Sequence, residues 1–234
     1  MSAGPIALVG SGEYLPAMLD VEAGLLAGRP PRYVQIPTAA APEGPGVTRR
    51  WVKLGIEQAG RLGVTAVPLL VETREQAEDP AIAEQVRGAG LIYLSGGDPP
   101  FLADTLRDTL LWRAIHAQWQ AGAALAGCSA GAIALTDWVP DIRRRDAPGR
   151  RGLAVVAHLR VLPHFDRLVR WMPDLPERYL LDLPPGAQVV GIDEDTALVG
   201  GPADWTVQGR QSAWLITAAG RREFAAGAAI TTPV

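Results

Sequence analysis

The chain reads as a doubly wound α/β protein: a mostly parallel sheet with helices on both faces and an antiparallel edge formed by its C-terminal strands. Three observations carry that reading. Short apolar or β-branched runs alternate with helical patterns through the first half. Those runs are continuously apolar, as strands covered on both faces must be. Toward the C-terminus the strands become shorter and are separated by Gly and Pro, which suits hairpins. With 234 residues, 48% hydrophobic and 20% charged, the chain can bury a full core without disulfides or metal, so one domain over 1–234 is expected.

The first strand is expected at 6–9, followed by the turn Gly10-Ser11-Gly12-Glu13 and a helix over 15–26. That turn begins like a dinucleotide fingerprint but has Leu15 at the third glycine position, so it reads as a tight turn at the sheet's carboxyl edge. Further strands are expected at 33–36, 64–71, 91–94 and 123–126, with helices over 48–62, 80–87 and 100–120. In the last of these Leu102, Leu106 and Leu110 recur every fourth residue and share one face. An arginine-rich loop over 143–151 leads to a strand near 153–161 and a helical piece over 167–181. Short strands at 189–193, 196–199, 205–208 and 213–217 are expected to form antiparallel hairpins at one edge.

Leu125-Ala126-Gly127-Cys128-Ser129-Ala130-Gly131-Ala132 places a hydroxyl between two glycines where an apolar strand gives way to a helix. This is the pattern of a nucleophile elbow, a sharp turn that lifts its apex side chain clear of the sheet while glycines let neighbouring backbone pass. Ser129 occupies the apex, and the amide of Ala130 opens the next helix, where it can serve an oxyanion. Cys128, the single cysteine, takes the second position and is expected to point inward as a small buried hydrophobe.

A serine nucleophile needs a base, and the chain offers His116, His158 and His164. His116 lies in a helix and His158 in an expected strand. His164, after a strand end and Pro163, is the one placed to swing over an elbow. For the acid that orients it, Glu194 in the turn Gly191-Ile192-Asp193-Glu194-Asp195-Thr196-Ala197 competes with Asp137, Asp141 and Asp146. Ser95-Gly96-Gly97-Asp98-Pro99 can supply the second oxyanion donor, since paired glycines free a backbone N–H to face the elbow. The same segment also fits a plain helix start, capped by Asp98 with Pro99 at the first helical position.

A net charge of −3 gives no general drive toward nucleic acid or membrane, and neither is an expected partner. No apolar stretch is long enough to span a bilayer and no basic segment precedes the apolar run at 6–9, so a cytoplasmic protein is expected. Lys53, the sole lysine, reads as solvated, which argues against Schiff-base chemistry. No cofactor and no metal site is expected. A small peptide is the expected partner, with homodimerisation admitted.

Gly96-Gly97-Asp98, the elbow, Pro163-His164-Phe165 and Gly191 through Ala197, in that order, resemble serine peptidases of the dipeptidase E and cyanophycinase group. The similarity runs from Gly10-Ser11-Gly12-Glu13 to Gly200-Gly201-Pro202. It implies a class I glutamine amidotransferase-like, flavodoxin-like fold, with cleavage after acidic residues or of β-aspartyl-arginine dipeptides from cyanophycin. It also implies Ser129 as nucleophile, His164 as base, and Gly97 and Ala130 as oxyanion donors, with Glu194 preferred as the acid.

Two departures bear on substrate. Pro99-Pro100 stands where the family often has Asn or Gln, and Leu162-Pro163-His164-Phe165 differs from the cyanophycinase form, which argues against cyanophycin. An acidic side chain beside the scissile bond would suit the cluster Arg143, Arg144, Arg145, Arg150 and Arg151. Asp98, Arg143, Arg144 and Arg145 are therefore the candidate substrate-binding residues, against the alternative that the cluster is a solvated loop. Two rival classes are an esterase-type serine hydrolase, whose histidine normally comes near the C-terminus, and a non-catalytic binding module on the same fold. The glutaminase version of the fold needs cysteine at the apex, which Ser129 disfavours.

Overall fold

A computed structural model describes residues 2–141, 149–181 and 183–234. The first part runs β1 (Ile6–Val9), α1 (Leu19–Leu26), β2 (Arg32–Ile36), α2 (Pro45–Leu62), β3 (Thr65–Pro68), α3 (Arg74–Ala77), α4 (Pro80–Glu84), β4 (Leu91–Leu94), α5 (Pro99–Leu106), α6 (Leu110–Gln120), β5 (Ala124–Cys128) and α7 (Ala130–Ala134). The second adds β6 (Trp138–Val139), β7 (Arg150–Arg151), β8 (Leu159–Leu162), α8 (Phe165–Trp171), α9 (Leu175–Leu180), β9 (Gln188–Ile192), β10 (Thr196–Gly200), β11 (Asp204–Gly209), β12 (Ser212–Thr217), β13 (Gly220–Ala225) and β14 (Ala229–Thr231).

The main sheet has the order β14-β11-β10-β1-β5-β4-β2-β3, parallel from β1 through β3 and antiparallel from β10 outward. The mixed α/β architecture expected from the alternation of runs is therefore present. β1, β4 and β5 are buried at every position, as their uninterrupted apolar runs require.

Several elements differ from the sequence expectation. The helix expected over 100–120 is two, because Asp108 adopts a left-handed φ of 64° and the Thr109 hydroxyl then accepts from the Trp112 amide, capping α6 afresh. The helical piece over 167–181 divides at Pro173, before which Met172 leaves the helical region. The strand expected near 153–161 begins only at Leu159, since Leu153 and Ala154 donate back to the carbonyls of Ala134 and Thr136. The C-terminal strands do not share one edge: β10, β11 and β14 extend the main sheet, whereas β9 and β12 join β8 and β13 in a second sheet ordered β13-β12-β9-β8. β13 went unforeseen because its Gly-Arg-Arg-Glu-Phe-Ala run is almost wholly exposed and lacks an apolar pattern.

The site lies where the carboxyl ends of β1, β4 and β5 meet those of the parallel pair β8 and β9. The two sheets are joined by residues 193–195, which leave β9 and enter β10. At that junction a Cβ on Gly10 would stand 2.1 Å from the Asp193 carbonyl oxygen, so only glycine lets β1 end there. The Asp193 carboxylate accepts from the Ser212 amide at 3.2 Å and from Trp214 Nε1 at 3.0 Å, tying the junction to β12.

Between α1 and the sheet lies a buried polar layer. Tyr14, Tyr33 and Tyr93 pack on one another with ring centroids 5.3 to 6.2 Å apart, and the Tyr33 hydroxyl donates to Glu22 at 3.1 Å. Burial pushes the Glu22 carboxyl up to about 7 from its ordinary 4.5, against hydrogen bonds from Gln58 and Tyr33 that lower it. A carboxyl raised in the folded state stabilises most when protonated. Stability should thus fall as pH rises from about 4.5 to about 7 and level off above.

On moving from pH 5 to pH 8, Glu22→Gln should gain on the wild type by on the order of 2–3 kcal/mol in urea unfolding; parallel curves would contradict the buried acid. A Cβ on Gly127 would come 2.5 Å from the Gly131 backbone, whereas one on Gly24 in α1 meets nothing within 4 Å. Gly127→Ala should cost about 1–3 kcal/mol or more and Gly24→Ala should gain about 0.5–1 kcal/mol, read from thermal or denaturant midpoints.

Candidate active site

Ser129 is held at φ 48° and ψ −107°, outside the regions ordinary residues prefer, between the last residue of β5 and the first of α7. Two contacts enforce the strain. Its amide donates to the Val9 carbonyl at 2.9 Å, and its own carbonyl accepts from Ile133 at 3.1 Å. The flanking glycines are sterically obligatory, since a Cβ on Gly131 would stand 2.2 Å from the Leu94 carbonyl oxygen. The elbow read from the sequence is therefore an elbow in the fold.

His164, also left-handed at φ 50°, opens α8 directly after β8. Its Nδ1 lies 3.1 Å from Glu194 Oε1 and its Nε2 lies 3.1 Å from Ser129 Oγ. An ionised carboxylate can only accept, so the Nδ1–H points at Glu194 and the bare Nε2 faces the serine hydroxyl. Glu194 is itself fixed: Arg167 Nε reaches Oε2 at 2.8 Å, and the Glu194 amide donates to Asp166 Oδ1 at 2.9 Å. Of the competing acids, Asp137 is exposed beside β6, Asp141 lines the cavity next to Ser129, and Asp146 falls outside the described residues. His116 lies exposed on α6 against Trp112 and Trp119, and His158 faces Thr232 at 3.2 Å, in a turn rather than the expected strand.

Gly97 takes φ 140°, and a Cβ there would stand 2.2 Å from the Ala39 carbonyl oxygen, so only glycine passes. Among the described residues neither the Gly97 nor the Ala130 amide donates a hydrogen bond. Both residues line the cavity that contains Ser129 and His164. Asp98 caps α5 by accepting from the Phe101 amide at 2.9 Å and lines a separate depression with Asp104 and Arg150. Arg150 pairs with Asp104 there. Arg143, Arg144 and Arg145 lie outside the described residues.

Sequence reasoning missed Glu13, which it left in a plain turn. This buried side chain accepts from the Gly96 amide at 2.8 Å through Oε1 and from the Cys128 thiol at 2.8 Å through Oε2. It thus braces both the glycine turn and the elbow from behind. Burial and the Glu13 charge hold the Cys128 thiol well above its ordinary range, so that thiol is not a nucleophile. Arg167 was also missed; it lies one turn of α8 beyond His164, where a cation can hold the outer oxygen of Glu194.

Hydroxyl, imidazole and carboxylate in hydrogen-bonded series at the carboxyl edge of a doubly wound sheet are the arrangement of a serine hydrolase. Comparison with known proteins narrows the class. The model for peptidase family S51 matches residues 6–202, and the chain belongs to that family of serine peptidases. Cyanophycinases from Synechococcus elongatus and Thermosynechococcus vestitus (strain NIES-2133 / IAM M-273 / BP-1) are each 32% identical over 147 residues; the match covers 58% of this chain and 44% of either cyanophycinase. The crystal structure of a peptidase from an acI-B1 Actinobacterium is 42% identical, with a TM-score of 0.89 over 98% of this chain and 97% of that one. A structure assigned to a peptidase E protein from Listeria monocytogenes EGD-e, 19% identical with a TM-score of 0.60, covers 89% of this chain and all of that one and shares the fold.

Glu13→Ala should leave the Gly96 amide and Cys128 thiol buried without a partner, costing about 1–3 kcal/mol of stability. In hydrolysis kcat should fall more than KM rises, because the glycine turn loses its brace while the cavity walls stay. Glu13→Gln, which keeps the size and one acceptor, should recover part of the loss. An unchanged kcat in a folded Glu13→Ala protein would show that the turn holds itself.

Proposed function

We propose that this chain is a serine peptidase that cleaves short peptides through an acyl-enzyme. The observation that supports it above all is the unbroken series Glu194, His164, Ser129, with both links at 3.1 Å. In this reading Ser129 Oγ attacks the scissile carbonyl carbon as His164 Nε2 takes its proton, and the carbonyl oxygen, now an anion, is received by the amides of Gly97 and Ala130. Collapse expels the amine, which takes the proton from Nε2, and leaves an ester on Ser129. Water then attacks the ester, passing its proton to Nε2 and on to the departing Ser129 oxygen, which frees the carboxylic acid. Glu194 keeps the proton of the resting imidazole on Nδ1 and offsets the charge of the imidazolium.

Short peptides are favoured by a second cavity, about 390 Å³, that meets the first at Gly97, Ser129 and His164 and has Glu43 and Arg50 on its walls. These two opposite charges suit the free amino and carboxyl groups of a short chain. The intact series also favours an enzyme over a non-catalytic module. An acidic preference, expected from Arg143, Arg144 and Arg145, falls on residues outside the described part.

Ser129→Ala should abolish turnover by several orders of magnitude and end labelling by a fluorophosphonate probe while leaving the melting temperature near wild type. Glu194→Gln should lower kcat on the order of 10⁴-fold with little change in KM, since it favours the wrong tautomer. Retained turnover in purified Ser129→Ala would overturn the mechanism, and near wild-type kcat in Glu194→Gln would remove that residue from it.

A further inference from the structure

The first cavity beside Ser129 has an apolar interior. Its volume is about 270 Å³, and its walls carry Ile133 from α7, Trp138, Leu168 and Met172 around α8, and Leu175 and Tyr179 from α9. The aromatic part is rigid: Trp138 meets Tyr179 edge-on at 5.1 Å, and the Arg160 guanidinium covers the Trp138 ring at 4.4 Å. Arg160 is not itself a wall residue; its Nη1 donates to the carbonyls of Tyr179 and Leu181 at 2.7 and 2.8 Å. Among the described wall residues, apart from His164, the charges are Arg178 and Asp141, one of each sign. Arg178 is exposed. A carboxylate carried in among Leu168 and Ile133 would lose its water to apolar walls, which costs more than leaving it in solvent.

We propose that this cavity takes a large apolar side chain, that of Leu, Met or Phe, from a residue flanking the scissile bond, so that the chain selects apolar rather than acidic short peptides. The proposal rests on the serine-peptidase reading above. It follows from the position of the cavity as much as from its chemistry, because the cavity shares Gly97, Ser129, Ala130 and His164 with the reacting centre. A side chain attached next to the attacked carbonyl has no more than a few ångströms to travel to reach it. Burying one such side chain against fixed walls is expected to favour it roughly ten- to a hundredfold in kcat/KM over a residue that leaves the cavity empty.

The test is a set of dipeptides and tripeptides with Leu, Met, Phe, Ala, Asp or Glu on each side of the scissile bond, at fixed ionic strength, with Ser129 labelled in parallel by a fluorophosphonate. At one of the two positions Leu, Met or Phe should exceed both Ala and Asp by at least about tenfold. Leu168→Ser should shrink the leucine-to-aspartate ratio, chiefly through KM, without inverting it. Preference for Asp or Glu, or equal turnover of all six at both positions, overturns the apolar assignment; if Ser129 is still labelled in that case, the peptidase reading stands alone. Absence of labelling together with persisting hydrolysis in Ser129→Ala overturns both.

Discussion

The Ser129 hydroxyl and the His164 imidazole are carried by different sheets, and everything about the site depends on how closely those sheets approach at Gly10 and Asp193. There the end of β1 meets the turn that crosses from β9 to β10 backbone to backbone, with no room for a single methyl group. Gly12 repeats the condition one turn later, since a Cβ on it would stand 2.4 Å from Asp195 Oδ1. A separation enlarged by one side chain would stretch the 3.1 Å contact between Ser129 and His164 beyond hydrogen-bond reach. The crossing is held from the far side by Ser212 and Trp214, so it cannot relax away from β1 without breaking hydrogen bonds to β12.

Around this junction the residues of the site divide by how their conformations are held rather than by position in the chain. Ser129, Gly97 and His164 all adopt left-handed or otherwise sparse conformations, and each is trapped by neighbours that fix the turn on both sides. Glu13 links two of these traps, because one carboxylate serves the glycine turn and the residue before the apex. Glu194 is constrained differently, by a guanidinium on one oxygen and an imidazole on the other. The imidazole therefore pivots between two fixed points, an arrangement that preorganises the site without relying on the substrate.

Much of this was legible in the sequence, and what was not has a common cause. The parallel strands declare themselves because burial on both faces demands unbroken apolar runs, and the elbow because its two glycines answer to contacts within a few residues or with a neighbouring strand. His164 was separable from His116 and His158 by its place after a strand and a proline. Glu13 was not legible, since its partners Gly96 and Cys128 lie 83 and 115 residues away and nothing in a Gly-Ser-Gly-Glu turn announces them. The second sheet was hidden for a similar reason: short amphipathic strands specify pairing only weakly, and tertiary packing decides which edge they join. The break before α6 turned on one backbone dihedral at Asp108, which a leucine repeat on either side masks.

The crossing of residues 193–195 from one sheet to the other also sets an order of assembly. Ser129 and its elbow depend on β1, β4 and β5, all of which precede residue 135, whereas His164 and Glu194 need β9 and β12 in place to be aimed. Chains emerge from the ribosome N-terminal end first, and domains fold as units. The Ser129 hydroxyl therefore gains its imidazole and carboxylate neighbours only once the strand that ends at Thr217 has been made and the second sheet can close.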